Sequence, residues 1–224
     1  MRLNTPTKLY TENRLRGLLL CGINWGGDPS RPSGPEAPSF FSDQSVNNYR
    51  YRNRLVHWFE LLGFPLITVK GQEGAFEHSL LQTNWLPGQA PHMHDEDIVA
   101  LCVSNAAPFI DHVRQLRPAL IVLVGLALFR ALNNPTVLAQ VESLMGRAGE
   151  ARVLQKSITT DGGQVLKAFS IGLRSFERTQ VVAFPHPTGS VGLSDLYIES
   201  FKPELAPVFA RYRDELLGRL KTGG

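Results

Sequence analysis

Short, continuous apolar runs alternate along this chain with longer segments of helical periodicity. Residues 17–23, Gly-Leu-Leu-Leu-Cys-Gly-Ile, are apolar without alternation and end in glycine and a polar loop, as a strand buried on both faces reads. Residues 119–124 are the clearest such run, and Gly125 turns that strand into a helix over 126–132. Residues 80–85, 165–171 and 180–184 read as further strands. Between them, Val46, Tyr49, Val56, Phe59 and Leu62 recur at helical spacing, which predicts an amphipathic helix with Arg50, Arg52 and Arg54 largely off its apolar face. A long helix is expected from an N-cap at Asp95 to a stop at Pro118, another over 135–145, and a last one from Pro203 through Leu217. Strands alternating with helices predict an α/β sandwich around a largely parallel sheet.

Composition narrows the class. At 224 residues the chain suits one well-filled domain, expected to span 1–224. Its net charge of +3 permits nucleic-acid binding without requiring it. Cys21 sits in an apolar strand and Cys102 in a helix, so both read as buried hydrophobes rather than a disulfide or a metal pair. No apolar run has the length of a membrane span. A cytoplasmic monomer is expected, nucleoid-associated if the source is bacterial.

In open parallel sheets, ligands bind beyond the carboxyl ends of strands, so polar loops after apolar strands are where chemistry is sought. Asn24 follows the first strand, Asn84 ends the second and His186 follows the last. Each brings directional hydrogen bonds. Residues 24–39 form a long loop rich in Pro, Gly and Ser, a length often associated with function. Taken singly, these positions have plain readings as well. Gly22 and Asn24 fit a strand-to-loop turn, His186 between prolines fits a turn, and Phe40 and Phe41 fit a core. The three arginines fit a solvated face, and Val191 and Leu193 fit a cover over the core. His92-Met93-His94 has no third ligand at regular spacing and is not read as a metal site.

Together, Gly22-Ile23-Asn24 and the following Trp25-Gly26-Gly27, with His186-Pro187-Thr188-Gly189 far downstream, resemble the two signature motifs of the uracil-DNA glycosylase superfamily. Phe41-Ser42 resembles the family's stacking position, and Thr83-Asn84 the strand end that reads the base edge. Residues 121–125 resemble a family core strand. The pairing of Asn24 with His186 is closest to the single-strand-selective monofunctional type. Trp25, where Pro is usual, and a longer loop to Phe41 depart from the pattern.

The resemblance implies a three-layer α/β/α sandwich around a central, largely parallel four-stranded sheet. It also implies a DNA-repair enzyme that flips uracil or another deaminated base out of the stack and hydrolyses its N-glycosidic bond. An abasic site would remain. His186 would donate a hydrogen bond to the departing base, and Asn24 would orient water without deprotonating it. Ile23, Phe41, Asn84 and Gly26 would line the base pocket, Gly26 standing near the place of a Tyr that excludes thymine. Ser42, Thr188 and Ser190 would hold phosphates, with Val191 and Leu193 in a loop that penetrates the helix and Leu193 as the preferred wedge. The partner would be single- or double-stranded DNA. No metal or cofactor is expected, and two cysteines are too few for an iron–sulfur cluster. With no Lys nucleophile evident, hydrolysis is expected rather than a lyase reaction. Two alternatives stay open: a non-catalytic nucleic-acid-binding relative, and a nucleotide-directed hydrolase of small molecules.

Overall fold

The computed structural model describes residues 5, 7–14, 16–23, 41, 50–86, 95–159 and 162–221. A short helix α1 (Thr11–Arg14) leads into strand β1 (Leu18–Gly22), and helix α2 (Arg50–Leu61) follows in the described chain. Next come α3 (Ala75–His78), β2 (Leu80–Asn84), α4 (Asp95–Ser104), α5 (Ala107–Leu116) and β3 (Leu120–Val124). Then follow α6 (Leu126–Leu132), α7 (Pro135–Met145), β4 (Arg152–Lys156), β5 (Phe169–Ser175) and β6 (Gln180–Phe184), and α8 (Asp195–Ser200) and α9 (Lys202–Lys221) close the described chain.

The strands form one six-stranded sheet in the order β2-β1-β3-β6-β5-β4. The first four neighbours run parallel, whereas β5 and β4 add antiparallel at the far side. The sheet is therefore mixed and six-stranded, not the four-stranded sheet expected. The two additional strands are β5, near the run read over 165–171, and β4, which the apolar pattern hides because it is an edge. Val153 on it is 60% exposed and only Leu154 packs against the core, the other three residues being charged or polar, so neither face carries a repeated apolar signature. Strand β5 lies a few residues beyond the expected 165–171, and Val165 forms only an isolated bridge with Thr159.

Helices flank both faces, which explains the continuous apolar runs. Along β3, Leu120, Val122 and Val124 enter one core with Leu55, Trp58, Phe59 and Phe209, while Ile121 and Leu123 enter the other with Phe109, Leu128 and Val141. In β1, Leu18 and Leu20 likewise oppose Leu19 and Cys21. All five residues of β3 are fully buried. At about 1.5–3 kcal/mol per large apolar side chain, this strand anchors both layers.

The helix expected over 95–116 is two helices. Pro108 stands in the first turn of α5, where its missing N–H leaves the helix before it without a continuing bond. No helix among the described residues is long and apolar enough to cross a membrane. Both cysteines are free and buried. Burial pushes the Cys102 thiol up to about 12 and the Cys21 thiol well above its usual value, the latter also through Cys102.

Candidate functional site

The parallel strands β1, β2, β3 and β6 all end at the same edge of the sheet, and the candidate residues meet there. Gly22 and Asn84 are direct register partners at the ends of β1 and β2. A Cβ on Gly22 would stand 2.3 Å from Asn84 Oδ1 and 3.6 Å from the Tyr51 hydroxyl. Glycine is thus required for the two side chains to close over this strand end. The backbone continues the pairing, with Trp85 N–H donating to Gly22 O and Leu86 N–H to Ile23 O, both at 2.9 Å. Asn84 is 3% exposed, and its side-chain oxygen lies against Gly22.

Ile23 is half-buried against the next strand end. Gly125 there has φ of +131°, a conformation that favours glycine, and a Cβ on it would lie 3.3 Å from Ile23 Cδ1. Its N–H donates to Phe184 O at 2.9 Å, tying β3 to the strand that delivers His186.

His186 is oriented by its own loop. Gly189 N–H donates to Nδ1 at 2.9 Å and Thr188 N–H at 3.3 Å. An atom that accepts from backbone N–H groups has no proton of its own, so the proton of the neutral ring is on Nε2. Burial lowers the pKa of the ring below its usual 6.5, since desolvation disfavours the charged form. The result is a neutral imidazole that offers one N–H donor and whose other nitrogen is already occupied.

Helix α2 completes the arrangement, and the sequence reading missed its role. The Tyr51 ring lies 6.0 Å from the His186 ring, tilted by 49°, while its hydroxyl reaches toward Gly22 and Asn84. Tyr51 therefore spans the gap between the two motifs. Arg54 donates to Pro187 O, and to Leu193 O at 2.9 Å. Trp58 Nε1 donates to Asp195 Oδ1 at 3.2 Å, and His57 Nε2 lies 3.5 Å from Asp195 Oδ2. Positions 51, 54 and 58 share a helical face. That spacing is readable, but Arg54 reads with its neighbouring arginines as a solvated face, and nothing in the sequence singles out Tyr51.

The reading of the three arginines as a solvated face changes accordingly. Arg52 is buried and donates to Phe41 O, and Arg54 is turned into the 187–193 loop, so only Arg50 of the three is exposed. Phe41 is wholly buried in the core cluster with Leu55 and Trp58, and neither ring face is open as a stacking platform in this arrangement. Leu193 is 4% exposed, packed in the same cluster, and is not a projecting wedge. Two residues earlier, Val191 is 85% exposed. The turn inverts the expectation because Leu193 N–H bonds back to Ser190 O and Gly192 takes φ of +85°, directing the chain inward toward α8. Thr188 is exposed and Ser190 half-buried, the latter donating its N–H to His186 O at 3.2 Å. Asn24, Trp25, Gly26, Ser42, Val46, Tyr49 and the 92–94 loop lie outside the described residues.

No protein-family model matches the chain, and the search of curated proteins finds no match.

Proposed function

We propose that this chain is a DNA glycosylase-type hydrolase that accepts a flipped, deaminated base such as uracil and releases it without a metal or cofactor. One observation carries the reading. A neutral imidazole, fixed with its proton on Nε2, stands on the same sheet edge as the nearly buried amide of Asn84. Cleavage of an N-glycosidic bond places negative charge on the departing base. A preorganised neutral donor aimed at a carbonyl oxygen stabilises that charge most where water is excluded. Asn84 supplies an acceptor and a donor side by side, suited to adjacent carbonyl and N–H groups on a pyrimidine edge.

The four parallel strands in the order β2-β1-β3-β6, with helices on both faces, suit the fold implied by the motif resemblance. Asn24 is assigned the attacking water, which an amide orients but does not deprotonate, so the turnover is slow. Val191, in place of Leu193, is the side chain that would enter the space left by a flipped base. Thr188 and Ser190, with Ser42, are assigned to the flanking phosphates. Gly26 leaves the 5-position of the base unguarded, and Ile23 closes the pocket wall.

The test uses single- and double-stranded oligonucleotides carrying uracil, hypoxanthine or xanthine, scored for alkali-labile breaks. Breaks at one of these bases are expected. Folded protein that cleaves none of them sinks the enzyme. The buried Phe41 favours a second reading, a nucleic-acid-binding relative without base release. Salt-dependent DNA binding that is indifferent to His186→Ala, with no breaks, would select it.

A further inference from the structure

Helix α2 grips the loop that follows β6 at two separated carbonyls. Arg54 sends one N–H to Pro187 O and another to Leu193 O, so a single guanidinium bridges the two ends of the 187–193 turn. The backbone N–H groups that meet the imidazole lie inside that bridge. Thr188 N–H and Gly189 N–H meet Nδ1, and Ser190 N–H meets His186 O. Between its buried ends, Pro187 and Leu193, the turn is largely exposed. Val191 is exposed, Gly192 has φ of +85° with open space around it, and Thr188 and Gly189 are exposed. Leu193 in the core and the Asp195 contacts to Trp58 and His57 fix the far side. On the near side, Arg54 is the side chain that ties Pro187 to the helix.

We propose that Arg54 is a positioning residue, whose bridge between Pro187 and Leu193 keeps the backbone N–H groups of Thr188 and Gly189 on His186 Nδ1 and so holds the ring in its Nε2–H form. The functional value of this rests on the reading of His186 as a donor to the leaving base, but the geometry does not. Two charge-assisted bonds from one rigid fork do what a lysine cannot, because an ammonium lacks the planar spacing to serve both carbonyls equally. Arg54→Met retains most of the stem and removes the donors, whereas Arg54→Lys retains the charge.

The experiment reads the ring directly on the folded chain without substrate. Long-range ¹H–¹⁵N spectra report which His186 nitrogen bears the proton, and amide hydrogen exchange reports the 187–193 turn. In Arg54→Met, exchange at Thr188 and Gly189 should rise on the order of ten- to a hundredfold, as expected for loss of a charged hydrogen bond. The His186 signals should move toward a mixture of tautomers, with Arg54→Lys between the two. His112, whose Nδ1 lies 2.6 Å from Pro108 O on α5, should not change and serves as the internal control. A pure Nε2–H signal and unaltered exchange in Arg54→Met overturn the proposal. If Arg54→Met fails to fold, Arg54→Lys decides by the same two readouts. A fixed tautomer in the parent protein with no base release on any oligonucleotide would remove the glycosylase reading and leave this one standing.

Discussion

The two ends of the parallel strands are built from opposite kinds of group. At the carboxyl ends, Gly22, Asn84, Tyr51 and His186 gather uncharged hydrogen-bonding groups, and burial keeps the imidazole neutral. At the amino ends, Arg16, Arg117, Arg178, Arg211 and Arg219 surround Glu215 and Glu177. Arg211 meets Glu215 at 3.0 Å and Arg16 lies 3.9 Å from it. Cavities of about 130 and 170 Å³ open there. Helix direction favours cations at this edge. In a sheet followed by returning helices, α5 and α7 bring their carboxyl ends to this edge, and Arg178 N–H indeed bonds to Met145 O, the last residue of α7. The partial negative charge of helix ends draws cations. The charged end thus answers the needs of the fold, whereas the other end presents an imidazole and an amide with directional hydrogen-bonding groups.

The largest expected effect tests that contrast directly. Substituting His186→Ala should lower single-turnover base release by roughly 10²–10³-fold, as loss of one preorganised donor does elsewhere. DNA affinity, read by fluorescence anisotropy, should scarcely change. An equal fall in binding and rate would move His186 from the chemistry to docking.

Leu193→Ala and Val191→Ala separate core from wedge within the same turn. The first removes a core side chain and should cost about 2–5 kcal/mol in chemical denaturation. The second should leave stability within about 0.5 kcal/mol and reduce release from duplex more than from single strands. Reversed results would restore Leu193 as the wedge.

The neutral end should also show in the pH dependence. Folding lowers the His186 pKa below 6.5, so as pH falls the unfolded chain takes up that proton first. The contribution to stability is complete above about 6.5 and is lost progressively below it, toward the lower pKa of the folded ring. Denaturation midpoints across this window should fall less steeply in His186→Gln than in the parent. Parallel profiles would mean that the ring titrates freely in the folded state.

The smallest effect belongs to the charged end. Glu215→Gln breaks partly exposed ion pairs and should cost under about 1 kcal/mol, less at high salt, with base release unchanged. A loss of activity there would undo the assignment of the two ends.

Much of the fold was legible because both faces of the sheet are covered. A strand covered on both sides must be apolar throughout, so β1, β3 and β6 announced themselves, and with them the strand ends at Gly22 and Phe184. Edge position hid β4, since an edge strand needs no apolar face. A proline placed at a helix start, where it is tolerated, made α4 and α5 look like one helix.

Residue type and order along the chain determined which chemistry is available: an amide at the end of β2, an imidazole after β6, and glycines where two side chains must close. Only the tertiary structure decided how those groups are presented. The ring's proton is placed by the backbone N–H groups of its own turn, Arg54 and Tyr51 reach that turn across more than 130 residues of chain, and Leu193 rather than Val191 is buried. These outcomes depend on which way a loop folds back, and periodicity carries no information where the backbone is irregular.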